Sequence, residues 1–190
     1  MAFLHSTILR RVTLTFILLW GIAPFYYLNQ DSAFLLWTFF LSAGIVLYFI
    51  WYEVSAIFIL IYLSFVTAYA FNVFLFQFSI PFYVAMIGIL LVYGYLFTYM
   101  EQKIGILGNK RLIYLLLFSL IILQVFLITS FFLISPINQS LIIAVTSYLF
   151  VGYCYTILAK HSDNNFYHYV LFSALALFAI FTTADWSGLV

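Results

Sequence analysis

Between Ala33 and Gln77 the chain runs for about 45 residues with a single charged side chain, Glu53. As one helix at 1.5 Å per residue this stretch would measure roughly 68 Å, about twice the hydrocarbon thickness of a bilayer. It cannot cross once, so it must fold back on itself. The only polar break near its middle is Trp51-Tyr52-Glu53. Trp and Tyr prefer the membrane–water interface, which puts a headgroup-level turn at Glu53.

Lipid as the solvent follows from composition. Of the 190 residues, 68% are hydrophobic and 6% are charged, against roughly 25% charged in an ordinary soluble domain. A soluble particle of this composition would expose apolar area over most of its surface and aggregate. Transmembrane barrels alternate lipid-facing and lumen-facing residues in segments of about ten. This chain instead has unbroken apolar runs such as Arg111 to Ile134, the length a spanning helix needs.

The expected fold is therefore all-α: a polytopic membrane helix bundle forming one transmembrane domain over residues 1–190. Seven transmembrane helices are expected at about 12–28, 33–52, 54–77, 82–100, 112–134, 141–159 and 166–184. The opening Arg10-Arg11 followed by an apolar run has the outline of a signal peptide. No A-x-A-like cleavage site follows, and the run extends toward span length, so an uncleaved first span is expected.

Orientation follows from basic residues. With seven spans and the N-terminus cytoplasmic, the inner segments hold Arg10, Arg11, Lys103, Lys110, Arg111 and Lys160, which are all six of the chain's Lys and Arg residues. The outer segments hold none, and the C-terminus falls outside. A single crossing of 33–77 would break this bias, so the charge distribution independently supports the hairpin. A buried Glu53 acting as a proton or cation relay is the competing reading, since a charge within a span is costly and usually functional. The flanking spans offer no Lys, Arg or His as partner, which favours the turn and predicts that Glu53→Gln is nearly silent.

Within the spans, Tyr62 and Tyr69 follow Ser55 at seven-residue intervals, with Asn72 three further on. Residues seven apart share a helix face, so this stripe is expected to point into the bundle. Ala144, Tyr148, Gly152 and Thr156 lie four apart and suggest a close helix contact. Gln124 sits near the middle of the fifth span, where an unpartnered amide is costly, so it is expected to face another helix or a polar pocket. The seven-span parity also permits a 3+1+3 arrangement of parallel halves.

Recognisable chemistry is sparse. There is no H-E-x-x-H pair and no aspartate cluster for a magnesium diphosphate, because the five acids are scattered. His161, Asp163 and His168 are the one group with ligand-type side chains, at a spacing that matches no strong metal motif. Cys154 has no second cysteine to pair with, and Asn138-Gln139-Ser140 has the form of a glycosylation acceptor in a very short loop. No catalytic, cofactor or metal site is expected. A net charge of +1 offers no basic surface for nucleic acid. The expected partners are membrane lipids and other membrane proteins, and the expected location is the cell membrane. The leading functional expectation is a non-enzymatic accessory or assembly component. A small-solute carrier or membrane-embedded substrate-binding subunit is the alternative, and an intramembrane enzyme comes third.

Overall fold

The computed structural model describes residues 7–104, 111–132, 134–158 and 164–184. Seven α-helices account for nearly all of them: α1 (Thr7–Leu28), α2 (Ala33–Tyr52), α3 (Ala56–Phe76), α4 (Phe82–Ile104), α5 (Arg111–Phe131), α6 (Pro136–Tyr153) and α7 (Asn164–Thr183). A π-helical turn, Cys154–Leu158, continues α6. Each helix is long and apolar enough to cross a membrane, and no strand occurs among the described residues.

The 33–77 run is broken as expected. Glu53 has a φ of 54°, the left-handed conformation that stops α2, and its backbone N–H donates to the Phe49 carbonyl. Two residues on, the Ser55 hydroxyl accepts the Phe58 N–H and opens α3. Ser55 is thus the cap that starts the helix, not part of its buried stripe. Ser79, in the connection from α3 to α4, is the other residue with positive φ among the described non-glycine residues.

Two boundaries differ from the hydropathy reading for a physical reason. Helix α1 begins at Thr7 and α6 at Pro136, each about five residues before the apolar run, because polar residues there are helical. In α6, Ser135 caps the Asn138 N–H and Pro136 occupies the first turn, a start signal that a search for apolar runs passes over. Gln139 is consequently buried, with its amide nitrogen donating to the Phe132 and Ile134 carbonyls and closing the α5–α6 turn.

Helix α3 is the hub, packed most heavily against α6, α1 and α4, while α7 lies at the edge against α6. Lipid tails are as apolar as Leu, so burial alone does not bring spanning helices together; close packing does. The hub accordingly buries small residues, among them Ser64, Thr67, Ala68 and Ala70. Glycines do the same on its partners. A Cβ on Gly21 of α1 would sit 2.0 Å from Val66 Cγ1, and one on Gly88 of α4 would sit 2.5 Å from the Phe71 ring. On the far side of α6, a Cβ on Gly152 would sit 2.3 Å from the Tyr169 ring. Of the row Ala144, Tyr148, Gly152 and Thr156, Tyr148 and Gly152 make a close contact with α7. Helix α1 packs along α3, whereas α5 packs chiefly on α4 and α6, so the two candidate halves do not pack alike.

Candidate functional site

The densest group of charges among the described residues lies at the α2–α3 turn. The carboxylate of Glu53 accepts from Arg10 Nη2 at 2.6 Å and from Lys103 Nζ, and Arg11 Nε lies 3.5 Å away. Arg10 and Arg11 come from the first turns of α1, and Lys103 comes from the last turn of α4. One carboxylate thus ties together three helix ends separated by 43 and 50 residues of sequence. The Glu53 side chain retains only 19% of its exposure.

Burial alone would push this carboxyl up. Hydrogen bonds from Lys103 and Arg10, with the charges of both, outweigh that and lower it to about 2. The Arg10 guanidinium also lies 5.6 Å from the centre of the Tyr99 ring, close enough for a cation–π contact. A shallow cleft beside it is lined by Arg10, Tyr95, Thr98, Tyr99 and Gln102, with room for roughly one water. A second pair, Arg111 Nε to Glu101 Oε2 at 3.0 Å, joins the facing ends of α4 and α5. The arrangement holds helix ends in register. A carboxylate saturated by cations is a poor base, so the cluster is suited to fastening rather than to proton transfer.

Sequence reasoning placed Glu53 in a turn but missed its partners. The flanking spans hold no cation, whereas Arg10, Arg11 and Lys103 all sit at the ends of other spans. The signal is present in the sequence: the charge bias that groups Arg10, Arg11 and Lys103 on one side of the membrane also groups them with the Glu53 turn. With these contacts, Glu53→Gln is no longer expected to be silent.

The other named positions separate into three groups. Tyr62 and Tyr69 do hydrogen-bond between helices: the Tyr62 and Ser42 hydroxyls lie 2.9 Å apart, and Asn29 Nδ2 donates to the Tyr69 hydroxyl at 3.1 Å. They reach α2 and the C-terminus of α1 respectively. Tyr148 packs on α7, with ring centres 4.8 Å from Tyr169 and 5.4 Å from Phe172. Asn72 is fully buried, and both of its amide atoms lack a hydrogen-bond partner. These four do not converge on one pocket.

Gln124 overturns its expectation. It is exposed on the outer face of α5. The inward face is filled by Phe118, Ser119, Ile122, Phe126 and Thr129, and a helix advances 100° per residue, so position 124 turns away. Of the basic topology determinants, Lys110 and Lys160 lie outside the described residues, as do His161 and Asp163. His168 is exposed on α7.

The fold and the charge cluster define a multi-pass helical membrane protein. No family model, curated protein or solved structure matches the chain.

Proposed function

We propose that this chain is a non-enzymatic accessory or assembly component of the cell membrane, acting through its outer helix faces rather than through an internal path. The observation that carries this reading is the filled interior. Tyr93, Phe97, Phe118 and Phe126 are among the largest fully buried side chains, and all four belong to one continuous hydrophobic core. The Tyr93 hydroxyl is itself used, donating to the Ser64 carbonyl of α3 at 2.6 Å. Phe97, Phe118 and Phe150 pack against one another at 5.1–5.9 Å between ring centres. Ion pairs that fasten helix ends fit a rigid scaffold better than a carrier that must rock between two states.

One observation favours the alternative of a small-solute carrier. Asn72 presents two donors and an acceptor inside the hub, unpartnered, with the Thr67 and Ser64 hydroxyls in the same condition on the same helix. The two readings part in purified protein reconstituted into vesicles. Uptake of glycerol, a neutral hexose and tryptophan is expected to match protein-free vesicles. Saturable uptake that disappears in a folded Asn72→Leu variant would replace the accessory reading with the carrier.

The proposed orientation has the N-terminus cytoplasmic and the C-terminus exterior. Its support is that Arg10, Arg11, Lys103 and Arg111 gather at the same end of the bundle as Glu53. Cysteines introduced at position 5 and within 101–111 are expected to react with an impermeant maleimide only from the cytoplasmic side. One introduced at position 188 is expected to react only from outside. Labelling of the 101–111 loop and position 188 from one side would exclude this threading.

A further inference from the structure

The outer face of α5 carries Ile113, Leu117, Leu120, Gln124, Ile128 and Phe131, all exposed and spaced four, three, four, four and three residues apart. These steps cover 18 residues in five turns, 3.6 per turn, so the six side chains share one face of a straight helix and form a continuous seam along which one neighbouring helix can lie. Helix α5 packs on α4 and α6 through its other faces, so the seam has no partner among the described residues.

The seam is apolar except at Gln124. This residue lies three positions from the midpoint of α5, about 5 Å along the axis, and so remains within the hydrocarbon core. No described residue hydrogen-bonds its side-chain amide. Acyl chains offer an amide neither donor nor acceptor.

We propose that a second copy of this chain covers the seam, with the two Gln124 amides hydrogen-bonded to each other across a twofold axis along the membrane normal. Two considerations select a second copy over an unrelated helix or lipid. Copies inserted in the same orientation place Gln124 at the same depth, whereas another helix would need a polar group at that depth independently. An amide is also self-complementary, since each supplies N–H donors and a carbonyl acceptor, so two of them satisfy one another as no acyl chain can. A single polar residue within an apolar seam fixes the register of the pair. This inference rests on the reading of the chain as a protein that works through its outer faces, and it names the partner.

The test uses the full chain in phosphatidylcholine vesicles, in a Cys154→Ser background carrying one new cysteine at a time. Oxidative cross-linking is expected at positions 117, 120, 124 and 128, and not at the exposed control positions 41 of α2 and 175 of α7. Energy transfer between labelled copies, followed on lipid dilution, is expected to show Gln124→Leu weakening association about three- to twentyfold, the range of interhelical hydrogen bonds in membranes. Gln124→Asn is expected to retain it. Energy transfer that never exceeds chance proximity would mean lipid alone covers the seam and would overturn the proposal. Cross-linking confined to the control positions, or an unchanged Gln124→Leu, would overturn it as well. Position 124 is on the surface, so the variants should keep the parent melting temperature. The cross-linking map stands apart from the variants in any case. Solute uptake is read separately, so failure of the dimer and failure of the accessory reading give different results.

Discussion

Glu53→Gln is expected to lower the unfolding free energy in detergent by about 1–3 kcal/mol, the scale of hydrogen bonds to charged groups. The amide keeps the size of the side chain but loses the charge that holds Arg10, Arg11 and Lys103 together. Without it, three cations face one another over the ends of α1 and α4. Glu53→Gly separates the charge from the backbone, because glycine adopts the left-handed φ of 54° more readily. Both variants should melt at lower temperature than the parent, with Glu53→Gly the less affected, because it loses the same charge but relieves the left-handed backbone cost that Glu and Gln both carry. The pH dependence has a definite sign. The folded carboxyl is lowered from 4.5 to about 2, so its contribution is fully present above 4.5 and is lost as pH falls toward 2. Glu53→Gln should flatten that part of the stability–pH profile. An acid limb of unchanged slope in the variant would mean that the cluster does not fasten the helices.

Gly21→Leu is expected to cost about 3 kcal/mol, at the upper end for overpacking a filled interior. Even the first added carbon would sit 2.0 Å from Val66 Cγ1 and 3.1 Å from the Val66 carbonyl oxygen. Val66 is fully buried, so it cannot swing clear, and α1 must move off the hub. Gly44 is the internal control. A Cβ there meets nothing within 4 Å, so Gly44→Leu should leave melting nearly unchanged. Equal melting temperatures for the two leucine variants would contradict the close α1–α3 contact.

The sequence made the span count legible because hydrocarbon thickness imposes a length, and it made the hairpin legible because 33–77 exceeds that length twofold. It left the facing of each helix largely illegible. In water an apolar stripe marks the inside, but a spanning helix is apolar on the side that meets lipid as well. The exposed Leu116 and Leu120 and the buried Phe118 and Ile122 alternate within one short run of α5 without any change in hydropathy. Polarity was the remaining guide. It succeeded for Tyr62 and Tyr69, whose hydroxyls find partners within the bundle, and it failed for Gln124, whose amide points outward. The contact of Gly21 with Val66 had no visible signal, because a glycine that admits a neighbour reads the same as one that does not.

The central position of α3 has a consequence for how the chain is made. Its densest packing partner, α6, begins at Pro136, about 60 residues after α3 ends at Phe76. At a synthesis rate of roughly 5–20 residues per second, several seconds separate the two. Over that interval α1 and then α4 can dock, and the Glu53 cluster can close once Lys103 has emerged. The side of α3 awaiting α6 meanwhile faces lipid or the insertion machinery. The early spans are therefore latched by charge at one end while the hub is still open along its length, and α6 enters as the piece that completes the wall.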